Sequence, residues 1–113
     1  MSNGVKFPFG KADVRTVPVA TVMAETVSDQ MTYLKVSGNL TAASALNITA
    51  LGVEDGASLY VEVPCATAYD LTFGSTYVTI AAAGVTGTTN KTKVAHFVYA
   101  SGKFVHVSTN TIN

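Results

Sequence analysis

Apolar and polar positions alternate along most of the chain from about residue 33 onward. Leu46, Ile48 and Ala50 alternate with Asn47 and Thr49, and Leu59, Val61 and Val63 alternate with Tyr60 and Glu62. Leu71 and Phe73 share one parity, as do Val78 and Ile80 against Tyr77 and Thr79. A period of two sends successive side chains to opposite faces, so each run predicts a half-buried strand. The runs are short and end at turn residues: Gly52, Asp55 and Gly56, Pro64, Gly74, Gly84 and Gly87. Short strands at this spacing predict an all-β fold, with a small antiparallel β-sandwich of jelly-roll-like form as the expected architecture.

The last two runs predict a hairpin. Residues 94–99 and 103–108 flank Ala100, Ser101 and Gly102, which read as a three-residue loop with glycine at the left-handed position. That loop pairs Tyr99 with Lys103, Phe97 with Val105 and Ala95 with Val107. One face then carries Ala95, Phe97, Tyr99, Val105 and Val107. The other carries Val94, His96, Val98, Phe104 and His106, with His96 opposite His106. The second face is too apolar for solvent and is expected to pack on the N-terminal arm or on a neighbouring subunit.

The N-terminal third is less regular. In residues 21–34, Met23, Val27, Met31 and Leu34 are spaced by four, four and three, as on one helix face, against several β-branched residues. The expectation is a short helix or turn leading into a strand at residues 32–36. Residues 1–10 read as an extended arm punctuated by Gly4, Pro8 and Gly10, with Phe7 and Phe9 placed to dock on another surface. Val14, Val17 and Val19 follow, and Pro18 among them predicts an edge strand or extended segment, because proline lacks a ladder donor. The chain therefore divides into residues 1–31, an arm with a possible short helix, and residues 32–113, the β-sandwich. Residues 81–93 are small and polar and predict a loop. No repeat of fixed period is evident.

Composition changes the picture mainly through charge. The chain has 113 residues, of which 48% are hydrophobic and only 12% charged, and its formal net charge is +0. So few charges give little electrostatic defence against association, which fits a surface covered by neighbours; a Thr/Ser-rich surface solvated by hydroxyls is the other reading. Seven basic residues balanced by seven acidic ones, with Arg15 the sole arginine, argue against a nucleic-acid partner. No apolar stretch nears the roughly 20 residues of a membrane span. The N-terminus has no secretory h-region, and a lone cysteine rules out an internal disulfide, so synthesis in a reducing cytoplasm is expected.

Candidate chemistry is sparse. A pair formed by His96 and His106 would be two ligands where four are normal, or a pH-sensitive contact, or two rings packed at an interface. Cys65 follows Pro64 at a strand end with no base in sequence context, which reads as a small buried residue. Glu54 and Asp55 precede Gly56 as turn residues. Glu62 and Asp70 lack the aromatic cleft a glycosidase pair needs, since the chain has no tryptophan. No catalytic, cofactor-binding or metal-binding residues are expected. Three Asn-x-Thr sequons, at Asn39, Asn47 and Asn90, would matter only in a secreted eukaryotic protein.

Leu71-Thr72-Phe73-Gly74-Ser75, followed by Val94-Ala95-His96-Phe97-Val98-Tyr99-Ala100-Ser101-Gly102-Lys103-Phe104, resembles the β-sandwich modules of bacteriophage tail fibres, spikes, head fibres and head decoration proteins. The resemblance covers roughly residues 40–108. Three residues depart from it: Ala100 and Ser101 stand where Asp-Gly usually follows the tyrosine, and Phe104 where tryptophan is common. The resemblance implies a structural virion protein, usually homotrimeric, with no catalytic residues. At this size it implies a capsid-decorating or auxiliary head protein, or the base of a head fibre, made in the bacterial cytoplasm and incorporated into the phage particle. Its partners would be the major capsid protein or other virion proteins. Phe7, Phe9, Val14 and Val17 would then anchor to the shell or sister subunits, and Val94, Val98 and Phe104 would form the trimer face. The alternative is a receptor- or carbohydrate-binding module of a tail fibre or adhesin, using Tyr33, Tyr60, Tyr69 and Tyr77 as stacking platforms.

Overall fold

A computed structural model describes residues 12–74, 76–81 and 84–113, and among these the protein is all-β. Nine strands run in the order β1 (Asp13–Val17), β2 (Val22–Val27), β3 (Met31–Val36), β4 (Ser44–Ala50), β5 (Ser58–Cys65), β6 (Leu71–Thr72), β7 (Val78–Thr79), β8 (Lys91–Ala100) and β9 (Lys103–Thr111). They form two sheets, one ordered β1-β3-β5-β8-β9-β7 and the other β2-β4-β6.

The first six strands alternate between the sheets, so the chain winds as a coil. β1, β3 and β5 stack in parallel on one side, and β2, β4 and β6 stack in parallel on the other. This corrects the expected antiparallel, jelly-roll-like sandwich: the arrangement is β-solenoid-like, and among the described residues the antiparallel strand pairs are β5 with β8 and β8 with β9, beside one isolated antiparallel bridge between Leu71 and Val85. Each turn of the coil crosses from one sheet to the other before returning, and that crossover is what makes successive strands in a sheet parallel. Asp13 faces Thr32, an offset of 19 residues; Val22 faces Ala45, an offset of 23; Met31 faces Ser58, an offset of 27. The drift in turn length hides the repeat from any fixed-period pattern.

The expected short helix is absent. Residues 22–27 and 31–36 are strands, joined by a corner at residues 28–30. A spacing of four keeps Met23 and Val27 on one face of a strand as well as of a helix, and the β-branched content decides between them. Pro18 lies just beyond edge strand β1, where no ladder donor is lost.

Corners are stitched from one turn of the coil to the next. Ser37 N–H donates to Val17 C=O at 2.9 Å, and Val19 N–H donates to Ser37 Oγ at 3.0 Å. The Gln30 side chain acts as a short surrogate strand: its Oε1 accepts from Glu54 N–H at 2.9 Å. Gly56, at φ 94°, supplies the left-handed turn that admits the chain to β5.

The core lies between the two sheets. Leu34, Val61 and Ala95 form one buried row across the larger sheet, and Thr32, Leu59 and Phe97 form the next. Met23, Leu46, Ile48 and Leu71 meet them from the smaller sheet. Phe97 packs edge-on against Phe73 with centroids 5.3 Å apart.

β8 and β9 turn through Ser101 and Gly102 alone, both with positive φ (52° and 87°), as a type I′ turn requires. Ala100 therefore pairs with Lys103, Tyr99 with Phe104 and Val98 with Val105. This is one residue away from the expected register, and it turns β9 over. Phe104, expected on an exposed face, is fully buried, while Val105 and Val107 point outward. A bulge between His96 and Phe97 sets Phe97 opposite His106 and His96 opposite Ser108, so the expected histidine pair does not form.

Candidate assembly surface

The outer face of the larger sheet carries the main surface feature. Val14, Tyr33, Tyr60 and His96 occupy one register row across β1, β3, β5 and β8. Tyr60 lies between two partners: Tyr33 at 5.9 Å with planes 26° apart, and His96 at 4.4 Å with planes 5° apart. The neighbouring row carries Met31, Ser58, Val98 and Val105. Between the two rows on β9, Val107 is 55% exposed. The strands present aliphatic and aromatic groups where an outer face in water would normally be polar.

Charge beside the ring row is internally matched. The Tyr33 hydroxyl donates to Glu62 Oε1 at 2.5 Å, and Lys35 Nζ lies 3.9 Å from Glu62 Oε2. Burial, followed by the bond to Glu62 and its negative charge, pushes the Tyr33 phenol up to about 12 from 10.0. Tyr33 therefore stays a neutral donor throughout the physiological range.

The start of the coil carries charged side chains among its inward positions and exposed valines on its outside. Arg15 lies within 2.9 Å of Asp13 and 2.8 Å of Glu25, and its Nη2 donates to Thr26 C=O at 2.7 Å. The three side chains take the inward positions of β1 and β2 that aliphatic residues fill in later turns. On the outside, Val14 and Val22 are 66% and 68% exposed. β1 and β2 are the edge strands of their sheets among the described residues.

A shallow cleft of about 170 Å³ is lined by Asn39, Cys65, Ala66, Asn90, Lys91, Thr92 and Asn113. Cys65 is buried, with its thiol facing Tyr69 C=O at 3.8 Å. Burial pushes that thiol up, with Asp70 adding to the effect, so it is held as an unreactive thiol. His106 pairs with Thr109 Oγ1 at 2.8 Å, remote in register from Cys65. Among the described residues no group of three or more His, Cys, Asp or Glu side chains is arranged to hold a metal ion, and no helix is long and apolar enough to cross a membrane.

The residues singled out from the sequence fall in different places. Phe7 and Phe9 lie outside the described residues. Val14 is exposed at the start of the coil, and Val94 and Val98 are half-buried on the outer face of the larger sheet. Val17 and Phe104 belong to the protein's own core, which corrects their assignment to an interface. Val17 takes the inward parity of β1, and Phe104 was displaced by the one-residue change in the hairpin. The row of Tyr33, Tyr60 and His96 escaped the sequence because a parallel register has no local signal. Of the other tyrosines, Tyr69 packs against the core and Tyr77 is half-buried.

No protein-family model matches the chain, and no curated protein matches its sequence.

Proposed function

We propose that the chain is a structural, non-catalytic component of a bacteriophage particle. It is a homotrimeric capsid-decorating or auxiliary head protein, or the base of a head fibre, held to the major capsid protein or another virion protein through its N-terminal end. The observation that carries the assembly part is the outer face of the larger sheet. There Met31, Val98, Val105 and Val107 lie along one side of a ring row whose neighbouring charges on the other side, Lys35 and Glu62, neutralise each other. The matched pair lowers the electrostatic cost of covering the ring row, and the occupant we assign is a sister subunit. Three copies on one particle add their individual attachments as avidity. The virion part follows from the sequence resemblance.

A carbohydrate-binding module is the second reading, and the geometry of the tyrosines weighs against it. A sugar stacks on an open ring face. Tyr60 has both faces turned to Tyr33 and His96, and the remaining tyrosines are not gathered with them.

The test is association with particles. Purified phage carrying the gene should contain the chain in multiples of three copies per attachment site, by quantitative mass spectrometry. A chain lacking residues 1–11 should fold and trimerise but fail to bind stripped particles. Absence of the chain from purified particles overturns the virion assignment.

A further inference from the structure

We propose that β1 and β2 form a strap that opens by local unfolding as one unit, while the strands from β3 onward stay folded. Arg15 is the residue that joins the two strands of the strap. The proposal does not depend on the virion assignment.

The strap has a sharp boundary. Ser58 N–H donates to Gln30 C=O and Glu54 N–H donates to Gln30 Oε1, both at 2.9 Å, so Gln30 is fixed to the following turn. Ser28 and Asp29, between Gln30 and the end of β2, are exposed and form the hinge. Among the described residues β1 pairs only with β3, and β2 only with β4. A turn of a coil is held by its neighbours, so one with a single paired neighbour leaves first.

The interior of the strap is the second observation. Its six inward positions are Asp13, Arg15, Val17, Met23, Glu25 and Val27, three charged and three apolar. In the next turn Thr32, Leu34, Val36, Ser44, Leu46 and Ile48 stand there, with no charge among them. The strap therefore buries less apolar surface than the turn it rests on. Arg15 takes the place of the missing packing. Its Nε pairs with Asp13 Oδ2 at 2.9 Å, its Nη1 with Glu25 Oε1 at 2.8 Å, and its Nη2 donates to Thr26 C=O at 2.7 Å. β1 belongs to the larger sheet and β2 to the smaller, so one guanidinium spans both. Without it, two inward carboxylates lose their counter-charge, a penalty paid only while the strap is closed.

The ladder says which amides belong to the strap. Ser37 N–H donates to Val17 C=O, whereas Gln30 C=O faces β5. Backbone groups of successive strand residues point to opposite sides, so Tyr33, Lys35 and Ser37 bond β1, and Thr32 and Leu34 bond β5. Opening frees the first set and leaves the second protected.

Residue-resolved amide exchange on the full chain tests this. Val17, Met23, Glu25, Val27, Tyr33, Lys35 and Ser37 should share one opening, at least ~10-fold more frequent than that of Thr32 and Leu34. In Arg15→Ala the shared opening should become ~10-fold or more frequent, with Thr32 and Leu34 unchanged within ~2-fold. Equal protection of both sets in the native chain would mean that the coil opens only as a whole, and overturns the proposal without any variant having to fold. Fast exchange at Val17 with slow exchange at Met23 and Val27 would mean that the strands part separately, and overturns it too. Unchanged exchange at all seven amides in Arg15→Ala overturns the role of Arg15.

Discussion

Tyr60 and His96 stack face to face, with ring centroids 4.4 Å apart and planes only 5° from parallel, on adjacent antiparallel strands of the larger sheet. An offset or parallel aromatic pair contributes about 0.5–1.5 kcal/mol beyond burial. A double-mutant cycle with Tyr60→Ala and His96→Ala, read by urea denaturation, should give a coupling in that range. Strict additivity would show the contact to be energetically idle.

Tyr33 makes stability depend on alkaline pH. Its folded-state value, about 12, lies above the ordinary 10.0, so the folded protein holds this proton more tightly than the unfolded chain. The stability from that difference is present in full below pH 10 and is lost as pH rises toward 12. Midpoints of denaturation measured from pH 9 to 12 should fall more steeply for the native sequence than for Tyr33→Phe. Equal slopes would remove Tyr33 as the cause.

The hairpin register divides neighbouring residues sharply. Phe104 is buried beside Tyr99, with centroids 4.9 Å apart, and Phe104→Ala should cost about 3–5 kcal/mol. Val105→Thr and Val107→Thr, on the outer face, should change monomer stability by no more than about 0.5 kcal/mol while weakening self-association. Under the alternative register the stability effects would be reversed.

Thr32 Oγ1 is buried with no hydrogen-bond partner among the described residues. Thr32→Val keeps the volume and removes the unsatisfied hydroxyl, so it should raise stability by about 1 kcal/mol. A loss of stability in thermal or chemical denaturation would show that the hydroxyl is satisfied.

Strand content was legible wherever the pattern of burial is local. The alternation of Leu59, Val61 and Val63 placed β5, and that of Leu46 and Ile48 placed β4, because each strand has one wet and one dry face. Parallel stacking was not legible. Tyr33 and Tyr60 are 27 residues apart in sequence and meet only because an intervening turn visits the other sheet. The helix expected near Met23 arose because a spacing of four fits both periods, and its extension to Met31 runs across a corner. In the hairpin, counting Ala100 as part of the loop shifted the register by one residue, which turned over Phe104 and separated His96 from His106. The candidate surface was half visible: Val94 and Val98 lie on it, but the rings and the exposed Val105 and Val107 required the register.

Self-association through the outer face of the larger sheet is the claim on which the proposed role depends. Native mass spectrometry or light scattering on the purified 113-residue chain measures it directly. The expected species is a trimer, three times the 11.7 kDa chain mass, that shifts toward monomer when Val98 and Val105 are both replaced by aspartate. An 11.7 kDa monomer persisting at concentrations on the order of 100 μM, where a stable interface of standard size would be saturated, would contradict it.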